Sequence, residues 1–133
     1  MTMSEHPNAA IVRSAYEAME TGDMPAFVAL LDDNIIWHES TPGFVGSYRG
    51  RDQVLALLGS IMQETGVQMG RISIHDVLAS DDHTVILHET ALTKNGRAYT
   101  AQYCDVYHLR NGKLTEHWHL AVDPKADEVF LKS

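Results

Sequence analysis

The stretch Asp105-Val106-Tyr107-His108-Leu109-Arg110-Asn111-Gly112-Lys113-Leu114-Thr115-Glu116-His117-Trp118-His119 decides the reading of this chain. Asn-Gly between two strand-like runs is the strongest short hairpin signal, because both residues tolerate the positive φ that a tight turn needs. It predicts strands over 98–109 and 113–122. Moving towards the N-terminus, Asn95-Gly96 and the segment 80–83 make similar breaks. They predict two further strands, over 84–93 and 68–79. Together the four form an antiparallel meander.

Further upstream the apolar period changes from two to that of a helix. Val54, Leu57, Leu58, Ile61 and Met62 repeat at i, i+3, i+4, i+7 and i+8, which predicts a helix from Asp52 as cap through Thr65, ended by Gly66. Val12, Ala15, Tyr16 and Met19 follow Pro7 at helical spacing. Thr21-Gly22-Asp23 stops that helix, and Asp23 caps a short second one with Pro25 in its first turn. Asp32-Asp33-Asn34 reads as a turn, Ile35 to Glu39 as a strand, and 40–50, with three Gly and a Pro, as a loop. The acidic end, Asp123 to Glu128, reads as solvated, with Val129, Phe130 and Leu131 docking on the rim or on a partner subunit. The fold class is therefore α+β. Three N-terminal helices pack on one face of a curved, mostly antiparallel sheet, which half closes around a helix and leaves a cone-shaped small-molecule cavity.

The 133 residues suit a single domain over 1–133. At 44% hydrophobic and 21% charged, the composition excludes a disordered tail and a small disulfide scaffold. Ten Lys and Arg against 18 Asp and Glu give a formal charge of −8, which repels a phosphate backbone, so no nucleic-acid partner is expected. No stretch approaches the roughly 20 apolar residues of a membrane span. The lone Cys104 and the absence of a signal-peptide pattern near the start lead to a cytoplasmic expectation.

Several segments in order resemble the SnoaL-like branch of the nuclear transport factor-like superfamily, which also contains ketosteroid isomerases. They are Thr21-Gly22-Asp23, then Leu30-Leu31-Asp32-Asp33-Asn34 leading to Trp37-His38, then Tyr48-Arg49-Gly50-Arg51-Asp52, and finally 105–118. The resemblance spans nearly the whole chain. It implies a cone-shaped α+β barrel open at one end to a hydrophobic small molecule, and a homodimer; no cofactor is expected.

The last hairpin has two readings. A two-residue loop pairs Arg110 with Lys113 and sets Asp105 opposite Trp118. A three-residue loop pairs Leu109 with Lys113 and sets Asp105 opposite His117 and Tyr103 opposite His119. The resemblance favours the three-residue loop. It also implies that Asp105 faces the cavity as an oxyanion-hole member, that His117 and His119 point inward, and that His38 stands where ketosteroid isomerases carry their general base. A histidine suits that role because its pKa lies near neutrality. A carboxyl in an apolar cone has a raised pKa, so Asp105 is expected to stay protonated and donate a hydrogen bond.

The departures from the family pattern are specific. His119 replaces the acid/base Asp of the aldol-type cyclases. Ala15 falls where the isomerases carry an oxyanion-hole tyrosine, and Tyr16 lies about 100° further round the helix. Catalytic candidates are thus His38, Asp105, His117 and His119, with Tyr16, His88 and Tyr103 as ligand-binding candidates. The plainer alternative for His117 and His119 is that they bond Asp105 or Tyr103 and stiffen the barrel. For His38 it is a rim or core histidine held by a backbone carbonyl. His38, His117 and His119 could supply three metal ligands, but no motif supports that and no metal is expected. Trp37 and Trp118 are expected on the face opposite the site. Two functions follow: a cofactor-free acid/base enzyme (isomerase, cyclase or hydratase/dehydratase) acting on a hydrophobic carbonyl compound, or a non-catalytic binding or dimerisation module using the same cavity.

Overall fold

The computed structural model describes residues 5–133. Helix α1 runs Pro7–Thr21, with His6 Nδ1 accepting from the Asn8 amide at 3.1 Å and Gly22, at φ 75°, closing the C-terminal turn. Helix α2, Met24–Ala29, is capped by the Asp23 side chain. Strand β1 spans Leu31–Glu39, β2 Gly46–Arg49, and helix α3 Arg51–Thr65. Strands β3 (Gln68–Ala79), β4 (His83–Lys94), β5 (Arg97–Arg110) and β6 (Lys113–Ala121) follow, then helix α4, Pro124–Leu131.

The six strands form one sheet in the order β2-β1-β6-β5-β4-β3. Only the β1–β6 contact is parallel. The sheet stays open at its ends and curves over α1, α2 and α3. Val12, Ala15 and Tyr16 of α1, Phe27 of α2, and Val54 and Leu57 of α3 meet Ile35, Trp37, Ile86, Tyr107 and Leu114 in the core.

Four local expectations are corrected. Asp32-Asp33-Asn34 lies within β1 rather than in a turn, and the β1–β6 register shifts between Leu31 and Ile36. The 40–50 loop contains β2, which pairs with β1. The cap of α3 is Gly50, with Asp52 in the first turn. The acidic end is a fourth helix, whose cap Asp123 accepts from the Ala126 amide at 3.0 Å. Phe130 of that helix is buried and stacks on Tyr99 at 4.9 Å, so the end of the chain does dock on the rim.

The last hairpin is also corrected. Asn111 and Gly112 sit at φ 53° and 75°, and Arg110 pairs with Lys113, so the loop has two residues. Alone, that register would put Trp118 opposite Asp105. A bulge intervenes: Leu109 pairs with Leu114, but His108 pairs with Glu116, leaving Thr115 as an extra residue. Asp105 therefore lies opposite His119, and Tyr107 opposite His117. The extra residue restores the alternation, so Asp105, His117 and His119 share the inner face although the expected pairing does not form.

Candidate functional site

Directly paired residues of neighbouring strands share a face. His88 pairs with Tyr103 across β4 and β5, because Asn95-Gly96 makes a two-residue turn. Ile86 pairs with Asp105, and Asp105 with His119. Five of the seven candidates, Asp105, His117, His119, His88 and Tyr103, thus line the concave face. Tyr16 joins them from α1. The 100° offset from Ala15 is absorbed by the way α1 lies on the sheet, and both residues are buried.

The Asp105 carboxylate is the centre of this group and is 2% exposed. Oδ1 accepts from His119 Nδ1 at 2.8 Å and from the Leu120 amide at 3.3 Å. Oδ2 accepts from His88 Nε2 at 3.0 Å and from the Tyr16 hydroxyl, which also bonds the Tyr107 hydroxyl at 2.8 Å. His117 Nε2 lies 3.5 Å from Oδ2, at the edge of reach, and neither of its ring nitrogens has a hydrogen-bond partner among the described residues. Its ring is held by stacking on Tyr107 at 4.3 Å and by the edge of Trp37 at 3.9 Å.

His38 is a correction. It pairs with Trp118, not with an inner residue, so it sits on the convex face, opposite Asp105. There it stacks on Trp118 at 5.1 Å, and Nε2 bonds Glu116 at 2.6 Å. Trp37 is corrected in the reverse direction: paired with His117, it is inward and buried, while Trp118 is outward as expected. The alternation Ile35, Trp37, Glu39 carries the signal that sequence reasoning passed over, since apolar residues two apart mark the buried face.

That alternation makes Glu39 the inner carboxylate of β1. It is 6% exposed, with Oε1 accepting from Trp37 Nε1 at 3.0 Å. Oε2 accepts from Thr41 Oγ1 at 2.7 Å and from the Ser40 and Thr41 amides. His119 Nε2 lies 3.9 Å from Oε2. Asp127 of α4, also missed, is buried against the Tyr99 hydroxyl. Burial pushes its carboxyl up, against the Tyr99 hydrogen bond.

The expectation of a protonated Asp105 is overturned. Burial alone would raise its pKa, but the charge of His119, its hydrogen bonds and the imidazoles of His117 and His88 beside it hold it well below the ordinary carboxylate value. Burial likewise works against protonation of His119. There the Asp105 carboxylate prevails, helped by Glu39 and Asp127, and the pKa is raised to about 9. For His117 burial wins, and its pKa is lowered. The centre is thus an ionised Asp105–His119 pair beside a neutral His117.

A cleft of about 20 Å³ lies between Ser40, Thr41, Pro42 and Ala121 on one side and Pro124, Asp127 and Leu131 of α4 on the other, and reaches Tyr103 and His119. That is room for about one water. His119, with its side chain 18% exposed, is the member of the Asp105 centre that meets this cleft. Among the described residues, Asp105, His117 and His119 could hold a metal ion, with ligand atoms all within 4.8 Å of one another. The fit is poor, because His119 would have to give up the Nδ1 bond to Asp105, whose oxygens already accept from Tyr16, His88 and Leu120. No described helix is long and apolar enough to cross a membrane.

A family model described as a SnoaL-like domain matches residues 12–117. The fold is similar to that of Bal32a from a soil-derived mobile gene cassette, at 28% identity and TM-score 0.82, over 94% of this chain and 96% of that one. It is also similar to TerC co-crystallised with polyporic acid (18%, TM-score 0.86, 96% and 100% covered). A third similar fold is an LEH-like epoxide hydrolase of M. tuberculosis (19%, TM-score 0.72, 94% and 88% covered). No curated protein matches.

Proposed function

The chain belongs to the SnoaL-like domain family, and from that premise we propose a small enzyme, one domain over 1–133, that needs no cofactor. Its reaction is general acid/base chemistry on a hydrophobic carbonyl-containing small molecule: an isomerisation, a cyclisation or a hydration/dehydration. The observation that carries this reading is the Asp105–His119 pair. Asp105 Oδ1 binds His119 Nδ1, which leaves Nε2 as the nitrogen free to exchange a proton at the cleft. An imidazolium there donates to a carbonyl oxygen as negative charge develops on it. Glu39, 3.9 Å from Nε2, is the carboxylate placed to take up the proton released next to that carbonyl. Tyr16, His88 and Leu120 hold Asp105, and Tyr103 walls the cleft. His38 has no part in this chemistry.

The test is proton exchange. A panel of cyclic and aromatic ketones is incubated with the protein in deuterated water, and deuterium uptake beside the carbonyl is followed by NMR. Uptake is expected with the wild type and His38→Ala and is lost with His119→Gln. No uptake with any ketone, or uptake undiminished in His119→Gln, sinks the assignment.

The small cleft favours a second reading, a binding or dimerisation module filled by its own side chains. Ligand affinity unchanged by Asp105→Asn and His119→Gln, without turnover, would select it. A homodimer fits either reading. The convex face carries an apolar band of Leu78, Val85, Val106 and Trp118 across four strands, with Leu120 beside it, and sedimentation velocity measures whether two copies pair.

A further inference from the structure

The convex face holds a second cluster that the acid/base reading does not use. His83 and His108 are directly paired across β4 and β5. Their rings lie 4.4 Å apart at 74°, and the two Nε2 atoms are 2.7 Å apart. Glu116 lies behind them on β6, with Oε1 3.4 Å from His108 Nδ1. Its other oxygen takes His38 Nε2 at 2.6 Å, and His38 Nδ1 meets Ser47 Oγ at 2.8 Å. Ser47, His38, Glu116, His108 and His83 thus form one chain of polar contacts, one residue from each of five adjacent strands.

We propose that His83 and His108 hold a transition-metal dication of the zinc, nickel or copper class through their Nε2 atoms, with Glu116 orienting His108. Two unprotonated nitrogens cannot rest 2.7 Å apart, so without a metal one Nε2 carries a proton directed at the other. The Glu116 carboxylate, 3.4 Å from Nδ1, favours by its charge the tautomer with the proton there, which leaves His108 Nε2 as a lone pair. This is the usual outer partner of a metal-bound histidine. The ion replaces the bridging proton when His83 adopts the same tautomer. Imidazole pairs suit these metals. Bonds of about 2.0–2.1 Å require the two nitrogens to part to about 2.9 Å at a right angle or about 3.3 Å in a tetrahedral site. Both rings have room to do so, since His83 is exposed and the His108 side chain is 38% exposed. Water fills the remaining positions. The adjacent Asp81 and Asp82 and the net charge of −8 favour a cation at this face.

The site lies on the opposite face of the sheet from His119, so its test is independent of the proposed activity. The whole protein is titrated with nickel or zinc salts by isothermal titration calorimetry, while imidazole nitrogen resonances are followed by NMR. One ion per chain is expected, with shifts or broadening at His83 and His108. His83→Gln and His108→Gln each weaken binding about tenfold or more, and Glu116→Gln does so within about 10–100-fold. His83 is exposed, so its variant separates lost binding from lost folding. Affinity unchanged in the His83→Gln/His108→Gln double variant overturns the proposal. So does an ion whose effects fall on His117 and His119.

Discussion

Asp105 and His119 face each other across β5 and β6, with Oδ1 and Nδ1 2.8 Å apart and the carboxylate almost wholly buried. A buried charge this far from water persists only when paired and hydrogen-bonded. Asp105 accepts four such bonds, and His119 is the partner that carries the opposite charge. Each half of the pair depends on the other, and several consequences can be measured.

Asp105→Asn removes the anion that keeps His119 protonated. The His119 pKa, about 9 in the wild type, is expected to fall, because burial lowers it and only the more distant Glu39 and Asp127 then oppose burial. An NMR titration of the imidazole reads this directly. A His119 pKa still near 9 in the variant would show that another group holds the proton. Losing one partner of a buried pair also costs about 3–5 kcal/mol, visible in chemical denaturation.

Stability should peak near neutral pH. The folded pKa of His119 is raised, so its contribution is complete below pH 6.5 and is lost as pH rises through about 9. His117 is the opposite case: its folded pKa is lowered, so its contribution is present above 6.5 and is lost as pH falls through the lowered value. The Asp105 contribution disappears at still lower pH, below 3.8. Urea midpoints from pH 4 to 9.5 test this, and the alkaline decline should vanish in His119→Gln. A flat profile between pH 7 and 9.5 contradicts the pairing.

His117→Phe is expected to cost less than about 1 kcal/mol, or to stabilise. Both ring nitrogens lack partners, while the ring face stacks on Tyr107 and its edge meets Trp37, contacts that a phenyl ring can keep. Thermal melting compares it with Tyr16→Phe. That change removes the hydroxyl shared by Asp105 and Tyr107 and should cost about 1–3 kcal/mol. The reverse ranking would mean that His117 has a polar partner, such as a bound water.

His38→Ala and Glu39→Gln separate the two faces of β1. His38 and its Glu116 partner are 31% and 24% exposed, and losing such a pair costs up to about 1 kcal/mol, with deuterium uptake unchanged. Glu39→Gln should lower uptake by about 10²–10⁴-fold, the usual range for a positioned acid or base. If His38→Ala abolishes uptake instead, the convex face carries the chemistry.

Much of this was legible in the residues. Pro7, Gly22, Asp23, Gly66, Asn95-Gly96 and Asn111-Gly112 mark helix and strand ends by local chemistry that needs no tertiary partner. Inward Asp105, His117 and His119 were legible through the resemblance, although by a loop that does not form. Asp123 and Pro124 mark the start of α4 in the same local way, but the acidic run around them reads as solvated end.

The sequence by itself determined the α+β class, the three N-terminal helices and where the turns of the four-strand meander fall, because caps, positive-φ residues and apolar periods are local preferences. Only the tertiary structure decided which face each strand presents. One extra residue at Thr115 reverses the side-chain parity of β6 beyond it, and no local preference says where β1 docks beside that strand. His38 and Glu39 differ by one position, and the pairing of Trp37 with His117 sends one to the convex surface and the other into the cone. Burial of a whole apolar face chooses between those registers, and it is settled only when the strands pack.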